Sequence, residues 1–185
     1  MSDPAGFTLW FTGLSGSGKT TIAELVGPEL ERRGALVEYL DGDVVRTHLS
    51  KGLGFSKEDR DTNIGRIGWV ASRFTRAGVV TLVSAISPYI EARAAARGMV
   101  EEFGPFIEIF VDTSVDECAN RDVKGLYAKA FSGEIKEFTG VSDPYEAPPS
   151  PDVHLATETL TPEESAALVI GELEARGLIG RAVAA

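Results

Sequence analysis

Gly13-Leu14-Ser15-Gly16-Ser17-Gly18-Lys19-Thr20 is the stretch on which the fold turns. It satisfies G-x-x-x-x-G-K-[ST] in full. Its glycines let the backbone curl until successive N–H groups point at one anion. Lys19 supplies a point charge to outer phosphates, and the Thr20 hydroxyl is a Mg²⁺ ligand, with Thr21 directly behind. Upstream, Phe7-Thr-Leu-Trp-Phe11 is short, apolar and aromatic, which reads as a buried strand. Downstream, Ile22, Leu25, Val26 and Leu30 recur near the helical period from Lys19 to Arg33, and Gly34 sits at the stop. A glycine-rich turn can match this pattern by chance, but here it lies between a strand and a helix, as phosphate binding requires. The stretch is expected to hold ATP with magnesium.

The same alternation continues outward. Leu36–Leu40, Val79–Ala85, Phe106–Val111 and Val153–Leu155 read as strands, and helices are expected after Ser56, over 89–102, over 115–121 and after Thr161. Thr161-Pro-Glu-Glu164 is a capping box with proline at N1. The fold class is therefore α/β: a P-loop NTPase fold with a parallel sheet flanked by helices on both faces. No repeat or linker divides the chain, so 1–185 reads as one domain. Residues 122–151 are polar, rich in Lys, Gly and Pro, and carry no long apolar stripe; they read as a mobile lid.

Composition excludes several classes of function. The formal charge is −10, from 28 acidic and 18 basic residues. Broad contact with a nucleic-acid backbone is not expected of such a chain, and any anion site must be a local cluster of cations. Cys118 is the only cysteine, which rules out internal disulfides and thiolate clusters and points to a reducing, cytoplasmic setting. The N-terminal stretch lacks a basic leader region, and no apolar run approaches the ~20 residues of a spanning helix, so no membrane association is expected.

A GTPase would need a guanine-selecting Asn-Lys-x-Asp, whereas the segment after Phe110 reads Val-Asp-Thr-Ser-Val-Asp. A small kinase fits better, and it needs an acceptor site and a lid that excludes water. Asp41-Gly-Asp43 ends the second strand, where ligands collect in open α/β sheets; Asp43 is a candidate for activating a hydroxyl, against the alternative of capping a helix from Val44. At about 100° per residue, Arg60, Asn63, Ile64 and Ile67 share one face that continues as Ala71 and Phe74. The polar end of that stripe suits an anion pocket; the alternative is an overhang into solvent. Ser87 has two readings, an acceptor contact or phosphoryl carrier, and the cap of a helix begun by Pro88. Arg121, Lys124, Lys129 and Lys136 concentrate charge in the lid, suited to closing over phosphates, with an Arg or Phe138 stacked on an adenine.

These residues resemble adenylyl-sulfate kinases (APS kinases). The match is carried by Gly13 to Thr21, Leu40-Asp-Gly-Asp-Val-Val-Arg46, Leu53-Gly-Phe-Ser-Lys-Glu-Asp-Arg60 with Asn63, Ile86-Ser-Pro-Tyr89, and Arg121-Asp-Val-Lys-Gly-Leu-Tyr127 running on to Phe138-Thr-Gly140 and Pro144-Tyr-Glu146. The resemblance implies transfer from ATP, with Mg²⁺, to the 3′-hydroxyl of adenylyl sulfate, giving 3′-phosphoadenylyl sulfate. It implies that Asp43 activates the hydroxyl and that Arg46, Arg60 and Asn63 hold the phosphosulfate. Phe55 and Phe138 would sandwich the acceptor adenine, with Ile86 and Lys124 nearby. Ser87 matches the serine described in this family as a phosphoserine intermediate, and Arg121 falls with the ATP-binding set. Val44, Gly65 and Ala85 depart from the usual Asn, Arg and Phe. The resemblance further implies a homodimer and association or fusion with a sulfate adenylyltransferase, whose fused kinase segments the stretch Asp61 to Gly68 is similar to. Two rivals remain at this point: a kinase of a nucleoside monophosphate or small metabolite, and a nucleotide-binding domain without turnover.

Overall fold

The computed structural model describes residues 6–122 and 124–180. Residues 1–5, on which the reading of the N-terminal stretch partly rests, Val123 and residues 181–185 lie outside them. The elements run β1 (Phe7–Thr12), α1 (Lys19–Arg32), β2 (Val37–Asp41), α2 (Gly42–His48), α3 (Lys57–Arg76), β3 (Val80–Ser84), α4 (Ile90–Glu101), β4 (Phe106–Asp112), α5 (Val115–Arg121), α6 (Leu126–Phe131), β5 (Val153–Ala156) and α7 (Pro162–Ala175).

The strands form one parallel sheet in the order β2-β3-β1-β4-β5. β1 is central, and all of its residues are buried, as a strand covered on both faces must be. Its alternating side chains feed two cores. Phe7, Leu9 and Phe11 pack with Ile22, Val26 and Leu30 of α1 and with Val169 and Leu173 of α7. Trp10 packs on the other face with Ile64 and Ile67 of α3 and with Ala96 and Val100 of α4. Helices α3 and α4 meet almost backbone to backbone: a Cβ on Gly68 would lie 2.8 Å from that of Ala96. The box at Thr161 forms as expected, with Thr161 Oγ1 accepting from the Glu164 amide and the Glu164 carboxylate from the Thr161 amide.

Three local expectations are corrected. The second helix begins at Gly42 rather than Val44, because Asp41 accepts from the Asp43 amide and acts as the cap. The fourth helix begins at Ile90 and has no side-chain cap of its own, so Ser87 does not cap it. The lid contains α6 and its own small apolar cluster, Leu14, Cys118 and Tyr127 with Val115, Phe138, Val141 and Tyr145 packed against it. Sequence periodicity could not show that cluster, since its members are scattered across the loop, α5 and the lid.

Candidate active site

A cavity of about 630 Å³ opens at the C-terminal edge of the sheet, between the phosphate loop, the ends of β2 and β3, the start of α3 and the lid. The loop supplies Ser15, Gly16, Gly18, Lys19, Thr20 and Thr21 to its wall, and Asp41, Asp43 and Arg46 come from the end of β2 and from α2. Phe55, Arg60, Asn63, Ile86 and Ser87 complete the wall, with Lys124 and Phe138 from the lid. Gly13, Leu14, Ser17 and Arg121 do not line it. Gly13 and Ser17 lie buried under the loop, Leu14 faces a neighbouring depression of about 550 Å³ with Val141 and Tyr145, and Arg121 pairs with Glu117 and reaches the Thr157 carbonyl at 3.3 Å.

The phosphate loop holds its own shape. Gly16 and Gly18 sit at φ 76° and 106°, where a side chain would be strained. Lys19 is buried, and its Nζ donates to the Gly13 and Leu14 carbonyls at 3.1 and 2.7 Å. Burial is the main reason its ammonium is pulled down to about 8, partly offset by Cys118, Asp41 and Asp43. Thr20 Oγ1 donates to Asp41 Oδ2 at 2.8 Å. Asp41 thereby serves both cap and hydroxyl, whereas Asp43, also on the cavity wall, has neither duty. Asp43 accepts from Lys124 Nζ across the cleft, so a lid cation meets the end of β2 directly.

Two arginines, Arg46 and Arg60, stand on this wall. Arg60 and Asn63 are only 6% and 5% exposed, which excludes an overhang of α3 into solvent. Arg60 Nε donates to the Phe55 carbonyl at 2.7 Å, and its Nη2 donates to the Glu137 carbonyl of the lid and lies 3.9 Å from Asp143. Arg46 donates to the Gly54 carbonyl at 2.9 Å and stacks over Phe55 at 4.5 Å. Burial, and then the nearby Arg60 charge, lower the Arg46 guanidinium below its ordinary value. Two neighbouring cations that repel each other in a half-buried wall are an arrangement an anion would relieve.

Ser87 lies on this wall, but its Oγ is engaged: it accepts from Trp10 Nε1 at 3.0 Å and donates to the Ala85 carbonyl at 3.2 Å. Ser87 is 1% exposed, and both hydrogen bonds hold its hydroxyl in place. The lid cations and Arg121 at the end of α5 also part company: Lys124 and Lys136 reach the cavity, whereas Lys129 pairs with Glu134 and Arg121 with Glu117. Phe138 packs edge-on against Tyr127 at 4.9 Å, and Tyr127 in turn donates to the Ser15 carbonyl at 2.8 Å.

Several lining residues carry no signal that singles them out in the sequence. Thr139 is 3% exposed, and its hydroxyl has no hydrogen-bond partner among the described residues; the same holds for Asn63 Oδ1. Both sit on the cavity wall. Thr139 adjoins Phe138 in a quoted motif, which was the available hint. Among the described residues no group of three or more His, Cys, Asp or Glu side chains is set up to hold a metal, and no helix is long and apolar enough to cross a membrane.

Comparison with known proteins agrees with this geometry. The family model described as adenylylsulphate kinase matches residues 5–156. An adenylyl-sulfate kinase from Rippkaea orientalis is 54% identical over 179 residues, covering 97% of each chain. A probable bifunctional SAT/APS kinase from Sorangium cellulosum is 52% identical over 98% of this chain but only 31% of its own length. The solved APS kinase of Mycobacterium tuberculosis in complex with AMPPNP and APS superposes with a TM-score of 0.89 at 46% identity, over 92% of this chain and 99% of that one.

Proposed function

The chain belongs to the adenylylsulphate kinase family, and we propose how its own side chains carry out the reaction that membership implies. It is a kinase that moves the γ-phosphoryl group of ATP to the ribose 3′-hydroxyl of adenylyl sulfate, giving ADP and 3′-phosphoadenylyl sulfate in sulfate assimilation. One observation carries the assignment of roles: a chain with a net charge of −10 gathers Lys19, Arg46, Arg60 and Lys124 around Asp43 in one cavity.

In this reading the loop amides and Lys19 bind the outer phosphates of ATP, with Arg121 beside them, and Lys19 exchanges its two carbonyl partners for phosphate oxygens. Asp43 accepts the proton as the 3′-oxygen bonds to phosphorus, while the bridging P–O bond breaks and its electron pair leaves with ADP. The Lys124–Asp43 pair must open for the hydroxyl to reach the carboxylate, which frees Lys124 to meet developing charge on the phosphoryl group. Arg46, Arg60 and Asn63 hold the phosphosulfate end. Phe55 and Phe138 flank the adenine, with Ile86 and Lys124 close by. Ser87 shapes the wall without carrying phosphate, because in-line transfer requires no covalent stop.

Magnesium fits the donor set. Thr20 Oγ1 and Asp41 Oδ2 adjoin the phosphate loop, and Mg²⁺ characteristically takes one or two protein groups together with substrate phosphates rather than a protein cage. Thr20 would bind it directly and Asp41 through water; when bound it neutralises charge on the phosphates. The buried single thiol and the use of ATP favour a cytoplasmic setting. The reading also includes a homodimer and work beside a sulfate adenylyltransferase, supported by the family resemblance and by the fused relative; light scattering on the purified chain tests the dimer.

The decisive experiment is ADP release in a coupled assay with ATP and Mg²⁺, run without acceptor, with adenylyl sulfate and with AMP. Turnover is expected only with adenylyl sulfate. Equal turnover with AMP would move the chain to nucleoside monophosphate chemistry, and ATP binding without ADP release would leave it a binding domain.

A further inference from the structure

Arg93 stands in the first turn of α4, is 2% exposed, and uses every nitrogen of its guanidinium. Nε donates to Glu108 Oε1 at 2.9 Å, Nη1 to the Ser87 carbonyl at 2.7 Å and Nη2 to the Glu146 carbonyl at 2.8 Å. Those partners belong to three separate parts of the molecule: β4, the wall after β3, and the root where the lid returns to the fold. Ser87 is held at φ 42°, a left-handed backbone that a non-glycine residue keeps only when its surroundings fix it. The lid root is clamped to the same loop by other bonds. The Glu146 amide donates to the Pro88 carbonyl at 2.8 Å, and the Glu146 carboxylate accepts from the Ile90 amide at 2.7 Å. Tyr145 shares a 2.9 Å hydrogen bond with Thr12, whose hydroxyl also donates to the Ile86 carbonyl at 2.8 Å.

We propose that Arg93 is a positioning residue for the acceptor: it pins the wall carrying Ile86 and Ser87 to the lid root below Phe138, so that the lid closes on the acceptor in register. The inference rests on the cavity being the adenylyl-sulfate site. Stability alone does not account for the arrangement, since a buried ion pair is commonly replaceable by apolar groups without loss. Its forked geometry does account for it. A planar fork aims three separate nitrogens at a carboxylate and two carbonyls, whereas lysine's three N–H donors radiate from one nitrogen and do not span partners spread across the fork.

The test compares Arg93→Met, Arg93→Lys and the double variant Arg93→Met with Glu108→Gln, each assayed beside the parent for melting temperature and for the KM of both substrates. Arg93→Met leaves the buried Glu108 with only the 3.9 Å ion pair to Arg97, so a loss of stability there decides nothing; the double variant removes that charge. With its melting temperature restored, the double variant is expected to keep a KM for adenylyl sulfate raised about tenfold or more, with the KM for ATP unchanged. Arg93→Lys is expected to leave the acceptor KM raised as well. A double variant whose acceptor KM recovers along with stability, or one in which both KM values rise together, overturns the proposal. If the double variant does not fold, Glu146→Ala removes one lid-root bond from an exposed side chain. An acceptor KM raised about threefold, with that for ATP constant, supports the inference, and no change overturns it. A parent enzyme inactive on adenylyl sulfate would instead refute the acceptor assignment itself.

Discussion

The phosphate loop and the lid face each other across one cavity and are held by opposite means. The loop over 13–20 is locally complete: its glycines take the backbone through positive φ, the Ser17 amide returns to the Leu14 carbonyl at 3.2 Å, and Lys19 folds back on Gly13 and Leu14. The lid borrows its shape. Arg60 holds the Glu137 carbonyl, Tyr127 reaches the Ser15 carbonyl, Tyr145 bonds Thr12, and Arg93 holds the Glu146 carbonyl. A nucleotide site written into one contiguous stretch should tolerate distant change. An acceptor site assembled from remote segments should register it.

The largest expected effect tests where the two sides meet. Asp43→Asn should lower kcat about 100-fold or more, while calorimetry finds ATP affinity within about threefold of the parent. Full turnover in that variant would take Asp43 out of the reaction. Next, Arg60→Ala removes both a cavity cation and a lid latch, and should raise the KM for adenylyl sulfate about 10- to 100-fold with little change for ATP. Equal rises would show that the two sides are not separable in the way their construction suggests.

A pH titration sharpens the comparison from the donor side. Lys19 is charged below about 8 in the folded protein, so nucleotide Kd should rise as pH passes upward through that value, by up to about tenfold per pH unit. The same group should move stability the other way. Between about 8 and the ordinary 10.5, the unfolded chain binds the extra proton, so this contribution to folding stability grows with pH. Nucleotide titrations and thermal melts over pH 7 to about 10.5 should therefore trend oppositely; parallel trends would reject the assignment of the group. The smallest effect is at Gly65, where an added Cβ meets open space. Gly65→Arg should stabilise α3 by about 0.5–1 kcal/mol in denaturant unfolding, and any accompanying drop in acceptor KM would add position 65 to the anion contacts.

What could be read from residues follows the same division. The loop and the alternation around it are local patterns, and they predict β1, α1 and the parallel sheet directly. Arg60 and Asn63 were legible because they interrupt an apolar helical stripe, and their burial shows that the interruption serves the cavity. Arg93 was not legible: in Ala92-Arg-Ala-Ala-Ala96 an arginine looks like a solvated face, and only the fold brings Ser87, Glu108 and Glu146 to its fork. The surroundings of Ser87 were not legible for a related reason, since the donor to its hydroxyl is Trp10, on β1. The lid's order was hidden because its apolar anchors, Tyr127 and Phe138 among them, pack against the loop and α5 as well as against one another.

The near contact of Gly68 with Ala96 has a mechanical corollary. At that point nothing larger than the Ala96 methyl separates the helices that carry Arg60 and Arg93, so a displacement there should shift both arginines together. A single methyl at position 68 would act as a wedge there, disturbing acceptor capture without touching any group that contacts the acceptor, and leaving the phosphate loop, seated on the opposite core, in place.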